Sequence, residues 1–381
     1  MRRLPIFVAL AAALFAGPVW AQSCTPADTP DMGAGTPAPD LFRWCAEEER
    51  CGAVDKTGAW VVPPKFADIL VANGFIAALE GELWGFVDRS GNWLAKPAFI
   101  INADDPPFSE GMAAVVQGEK TGYVDLTGKL VIPARFEDGT AFRDGLASAV
   151  EGEKRGYIDK TGAWAVTPKA EFDFLDWFQD GVAVVVRAEK YGLIDRTGAV
   201  VIEPKFDWLS GSTGGFLVAE LDGKSGVVDR TGTFVVEPKF EEMGEFSQGR
   251  APAKLGGKWG FIDTCGTFVV EPSYDDVFGF NGGPATVKLG DKWGLIDRDG
   301  NQILEPSLAN IQSDGWTEGL TSFAAGENML EGILDSAGKV VVGPRYQTAL
   351  PLGGGVIWAY EGESEVLLDA KGDPVIIAPA P

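Results

Sequence analysis

Along most of this chain, short runs of apolar residues alternate with polar turns, and no stretch beyond the N-terminus holds the spacing of a long helix. Gly192-Leu193-Ile194 and Ala199-Val200-Val201-Ile202 are aliphatic and largely β-branched, as strands require, and they flank Asp195-Arg196-Thr197-Gly198. Aspartate followed by two residues and glycine is hairpin chemistry. The carboxylate accepts a backbone N–H two residues on, and glycine takes the left-handed conformation that closes the loop. A further strand precedes each hairpin, as in Gly111 to Val116, Gly145 to Val150 and Gly181 to Val186, followed by a polar turn with a lysine such as Lys120, Lys154 or Lys190. Proline, which cannot donate to a ladder, is expected to stop the strand after the hairpin, at Pro97, Pro133, Pro168, Pro204, Pro238, Pro272, Pro306 and Pro344. The aromatic that follows it (Phe99, Phe136, Phe172, Phe206, Phe240, Tyr274, Tyr346) reads as a core plug between units.

The hairpin aspartates are Asp55, Asp88, Asp125, Asp159, Asp195, Asp229, Asp263, Asp297, Asp335 and Asp369, spaced 33 to 38 residues apart. The chain is therefore about ten units of about 34 residues, each an antiparallel meander of three strands plus a connection with room for a short fourth. Such a unit cannot bury its own face, so neighbours must stack. Propellers usually have about four to eight blades of about 40 to 45 residues. Ten shorter units therefore favour an all-β array stacked as an open β-solenoid or superhelix, with a closed β-propeller-like ring as the alternative.

Lys258-Trp259-Gly260-Phe261-Ile262-Asp263 and Lys292-Trp293-Gly294-Leu295-Ile296-Asp297, each with a trailing glycine and proline, resemble the bacterial WG-repeat (KWG-repeat) family, as does Trp84-Gly85. The resemblance spans about residues 51–379. Thr121, Arg155, Ser225 and Glu331 replace the aromatic in other units, and Val366 to Asp369 lacks the first glycine. The resemblance implies a β-repeat architecture with no assigned biochemical activity.

With 381 residues, 45% of them hydrophobic and 11% aromatic, the chain can bury a large core. It contains no histidine, which removes the commonest general base, the commonest metal ligand and every Ser-His or Cys-His pair. No enzyme, cofactor or metal site is expected. Two further readings are outweighed. Asp297-Arg298-Asp299-Gly300-Asn301 looks like part of a calcium loop, but such a loop needs further ligands and a bidentate glutamate downstream, and these aspartates sit where a hairpin demands a cap. Carboxylates for an extracytoplasmic hydrolase could come from Glu47, Glu48, Glu49, Glu241, Glu242, Asp275 or Asp276, which read more simply as solvated faces or turns. A net charge of −23 argues against nucleic acid and anionic membranes and favours a basic protein partner.

Arg2 and Arg3, the apolar run Ile6 to Phe15, Gly17-Pro18 and Val19-Trp20-Ala21 read as a signal peptide (1–21), cut after Ala21, which places the chain in the periplasm or outside the cell. No later stretch is long and apolar enough to span a membrane. Residues 22–50 read as a proline-rich linker and a short N-terminal cap, with a helical turn or two over 41–50, ahead of an array over 51–379. Cys24, Cys45, Cys51 and Cys265 allow three pairings. The local bridge Cys45–Cys51 is favoured, leaving Cys24 to reach Cys265 or stay free.

Trp84, Trp259 and Trp293 recur in register and read as packing, whereas Trp177, Trp208, Trp316 and Trp358 lie in connections and are candidate exposed binding aromatics. The expectation is an exported, non-catalytic repeat scaffold in the cell envelope that binds a protein partner. The alternative is a glycan or cell-wall binding module.

Overall fold

The structure, a computed structural model, describes residues 27, 39–47, 50–101, 108–312, 315–362 and 364–375. The signal-peptide reading of 1–21, most of the linker and the end of the array lie outside these residues. The described residues form ten antiparallel sheets in chain order. They are blades 1 to 10: 42–66, 68–99, 108–136, 138–166, 174–206, 208–240, 242–274, 276–308, 310–346 and 348–369. Blade 6 is representative, with strands Trp208–Leu209, Phe216–Leu221, Lys224–Asp229 and Phe234–Phe240 hydrogen-bonded in sequence order. The fourth strand is the outer edge, where Phe234, Glu237 and Lys239 face away from the buried Val236 and Phe240. First strands line the inner rim, where residues of blades 4, 5, 6 and 7 meet in one cleft.

The sheets close into a ring, which corrects the expected open array. Phe42 and Val54 of blade 1 share a buried cluster with Val356 and Leu367 of blade 10, with Trp44, Trp60 and Trp358 packed around it. Among the described residues the sheets of both terminal blades show three strands, and in blade 10 Pro374 bridges to Leu368 and the Val375 N–H donates to the Leu367 carbonyl at 2.8 Å, where the outer strand of other blades begins. The apolar faces of these two blades cover each other across the seam. Residues Phe42–Glu47 form the first strand of blade 1, not the expected helical turns. Phe42 is buried and Arg43 exposed, a period of two that the acidic stretch after Cys45 masks in the sequence.

The core lies between blades, as stacking units require. Val184, Leu193, Ile202 and Phe206 of blade 5 pack on Leu217, Ala219 and Val228 of blade 6. Val236 and Phe240 of blade 6 then pack on Phe246, Ala253 and Ile262 of blade 7. Aromatics on the fourth strands continue the contact edge to face, with Phe66 on Trp93, Phe136 on Trp164, Phe206 on Phe234 and Phe240 on Phe268 at 5.2 to 6.0 Å. Those neighbours fill junctions where the Trp of Trp-Gly is missing. Thr121 and Ser225 stand opposite Phe136 and Phe240, both fully buried.

Trp-Gly keeps its glycine for a steric reason. A Cβ on Gly260 would lie 2.3 Å from the Val270 carbonyl oxygen, and one on Gly192 2.4 Å from that of Ile202. The outer strand comes this close because it bulges. Between Leu193↔Ile202 and Tyr191↔Phe206 it gains two residues on its partner, taking in Glu203, Pro204 and Lys205. Proline therefore does not end the strand in most units. Pro97, Pro133, Pro204, Pro238, Pro272, Pro306 and Pro344 all lie inside fourth strands, where the outer edge leaves a missing N–H without consequence. Only at Pro168, beyond Trp164–Val166, does the expected stop occur.

Candidate binding cleft at the inner rim

The repeated aspartates are fully engaged in building turns. Asp195 Oδ1 accepts the N–H of Thr197 at 2.8 Å, its hydroxyl at 2.7 Å and the N–H of Ala199 at 3.1 Å, while Gly198 has φ of 74°. Asp55, Asp125, Asp159 and Asp229 do the same with Thr57, Thr127, Thr161 and Thr231, whose hydroxyls hold each carboxyl below its ordinary range. In Asp229 burial opposes that effect and is the largest single influence. Asp88, Asp263, Asp297, Asp335 and Asp369 cap their turns through backbone N–H groups, and Asp297 Oδ2 also takes the Asn301 amide at 2.9 Å.

Other expected residues are structural too. Glu241 accepts the N–H groups of Gly256 and Gly257, Glu242 pairs with Lys254 at 2.6 Å and Asp275 with Lys258 at 2.5 Å. Asp276 accepts its neighbour's N–H and Glu47 pairs loosely with Arg50, whereas Glu48 and Glu49 lie outside the described residues. Cys45 and Cys51 are bonded to each other across the first hairpin. Cys265 is also in a disulfide, and Cys24 lies outside the described residues.

The four connection tryptophans separate into two pairs. Trp316 is only 8% exposed and donates its indole N–H to the Pro284 carbonyl at 2.9 Å, so it staples blade 9 to blade 8 and is no surface residue. Trp358 is half-buried at the seam of the ring. Trp177 and Trp208 are 44% and 37% exposed, and both open into a cleft of about 730 Å³ at the inner rim. Trp177 stands in the first strand of blade 5, Phe174–Gln179, and Trp208 in that of blade 6. The Tyr157 hydroxyl fixes the blade 5 strand by donating to the Asp176 carbonyl at 2.6 Å.

Sequence reading missed the rest of the site. Phe174, 54% exposed, lines the same cleft, as do Asp176 and Glu245. Burial pushes the Asp176 carboxyl above its ordinary range, against the opposing pull of the Trp177 N–H and of Arg143. Burial also raises Glu245, and the negative charge of Asp176 adds to it, although the two residues belong to blades 5 and 7. Arg143 covers the Trp177 ring at 4.2 Å and forms, with it, the wall to a second cleft of about 730 Å³. Asp180 is tied into the rim, accepting from the Ser212 hydroxyl at 3.1 Å and Gly215 N–H at 3.3 Å. A usable signal was the step of 36 residues from Asp159 to Asp195, which places two extra residues ahead of Phe174.

Chemically, the cleft offers open aromatic faces beside carboxylates with little positive charge to balance them. Among the described residues no helix is long and apolar enough to cross a membrane.

No curated protein matches the chain. Among solved structures it is similar to one described as the crystal structure of the eukaryotic initiation factor, at 11% identity, 79% coverage of this chain, 94% of that one and a TM-score of 0.51. It is also similar to Hsv2p of Kluyveromyces lactis (11% identity, 62% and 93% covered, TM-score 0.36) and to AztD of Citrobacter koseri (13%, 88% and 92%, 0.36). At such identities the first is a likeness of fold alone. The profile of the family described as WG containing repeat matches residues 52–84, 84–99, 122–154, 156–191, 191–224, 226–259, 259–293 and 293–320. With most of the chain matched, and with Trp-Gly explained by the bulge it faces, this protein belongs to the WG-containing β-repeat family.

Proposed function

We propose that the chain is an exported, non-catalytic repeat scaffold of the periplasm or cell exterior that binds a basic protein partner at the inner rim. The observation that carries this reading is the cleft where Phe174, Trp177 and Trp208 expose aromatic surface beside Asp176 and Glu245. Exposed aromatics that cluster in a concavity are the usual anchors of an interface. A net charge of −23 favours a partner of opposite sign. The residues from Arg2 to Ala21 support export.

The test is crosslinking and affinity capture from intact cells making the tagged mature chain, repeated with Trp208→Ala. A small set of envelope proteins, released by high salt and lost with the variant, is the expected result. Capture indifferent to both salt and Trp208 would overturn it. The exposed ring of Trp208 also favours a second reading, a glycan stacked on it, which quenching of tryptophan fluorescence by soluble glycans would support.

A further inference from the structure

Cations cover aromatic faces throughout this ring. Lys154 lies over Trp164 at 4.4 Å, Lys254 over Trp259 at 5.5 Å, Lys288 over Trp293 at 5.5 Å and Arg135 over Phe136 at 4.7 Å. In the cleft itself Arg143 covers Trp177. Trp208 and Phe174, though exposed, have no ring or cation over them among the described residues. They open into the cleft that holds Asp176 and Glu245, neither of which makes an ion pair among the described residues. The cleft thus has the aromatic faces and the carboxylates with which this protein elsewhere holds its own cations, while Arg143, the cation in its lining, lies over Trp177 and forms no ion pair with Asp176 or Glu245 among the described residues.

Resting on the basic-partner reading above, we propose that this cleft takes a lysine or arginine side chain of the partner, its cationic head between the Asp176 and Glu245 carboxylates and its stem along Trp208 and Phe174. Charge complementarity sets the class of occupant. The charged groups lining the cleft are Arg143, Asp176, Asp180 and Glu245. Arg143 is spent on Trp177 and Asp180 on the rim, which leaves the other two carboxylates to meet the incoming charge. In the free protein both carboxyls hold their protons more tightly than usual. A bound cation favours their ionised forms, so binding releases protons and weakens as pH falls through the raised range.

The experiment is calorimetric titration of the full mature chain with a blocked peptide of alternating lysine and glycine, its arginine counterpart and its glutamate counterpart, at fixed ionic strength. The variants are Asp176→Asn, Glu245→Gln, Trp208→Phe and Trp208→Ala, with Glu119→Gln, exposed on a turn outside the cleft, as control. Both basic peptides should bind and the acidic one should not. Each amide variant should weaken binding about tenfold, equivalent to about 1.4 kcal/mol. Trp208→Phe should keep most of the affinity that Trp208→Ala loses, Glu119→Gln should change nothing, and affinity should fall as pH is lowered from about 7.5 toward about 4. Salt-sensitive binding that ignores the amide variants would overturn this assignment and leave the basic-partner reading standing. Failure of both basic peptides to bind the unaltered chain, with glycans quenching its fluorescence, would overturn both.

Discussion

The outer hairpins and the inner strands of the ring are built under different constraints. At the outside, the hairpin between third and fourth strands has the same form in every blade: aspartate caps it and glycine closes it with φ between 74° and 87°. In nine blades the glycine at the Trp-Gly position has backbone atoms within 2.8 Å of where its Cβ would lie, and Val366 takes that place in blade 10. At the inside, the first strand is Asp138–Gly139 in blade 4, Phe174–Gln179 in blade 5, Trp208–Leu209 in blade 6 and Glu242–Met243 in blade 7. A strand of two residues pairs through few hydrogen bonds and imposes little on its side chains. The repeat therefore fixes the scaffold at its outer edge and leaves the rim free to differ from blade to blade, as the six-residue strand of blade 5 among its two-residue neighbours shows.

The largest test sets one residue from each region side by side. Phe240→Ala removes a fully buried ring between blades 6 and 7 and should cost about 3–5 kcal/mol in urea unfolding. Trp208→Ala, 37% exposed, should cost under about 1 kcal/mol while abolishing capture of the partner. Similar losses of stability from the two would erase the distinction.

Next comes Gly260→Ala. Its Cβ would meet the Val270 carbonyl oxygen at 2.3 Å, so the outer strand must shift, at a cost of about 2 kcal/mol or more in the same measurement. A loss below about 0.5 kcal/mol would mean that the bulge is soft and that the glycine has another cause.

Asp229→Ala has a smaller effect, because it removes three hydrogen bonds from one turn: about 1–2 kcal/mol at neutral pH. The folded-state pKa of this carboxyl is lowered. Its contribution is complete above the ordinary value near ~3.9 and is lost as pH falls through the lowered one. Unfolding curves of variant and parent should therefore converge in acid.

These outer features were legible in the sequence because each follows from local chemistry. Aspartate, two residues and glycine make a turn wherever they occur, and the period counted the blades correctly. Closure was not legible, since it depends on the angle between packed sheets and on what covers the two ends. In the cleft, Trp177 and Trp208 could be named from their place in connections. Asp176 and Glu245 could not be matched, because they lie 69 positions apart and only the curvature of the ring brings them together.

The smallest expected effect separates the two regions most sharply, because its sign is reversed. Asp176 and Glu245 have raised folded-state pKa values, so folding takes up protons there. The stability this gives is present at low pH and is lost as pH rises through the raised values, leaving two charges that the folded cleft solvates poorly. Asp176→Asn or Glu245→Gln should therefore raise the Tm at neutral pH, by about 2 °C or less, and the gain should shrink toward about pH 4. Asp229→Ala runs the other way, with a loss at neutral pH that fades in acid. Thermal unfolding across that range distinguishes a carboxylate kept for the fold from one kept against it. If the cleft variants followed the hairpin variant, Asp176 and Glu245 would be structural caps like the rest, and the inner rim would have no claim to be a binding site.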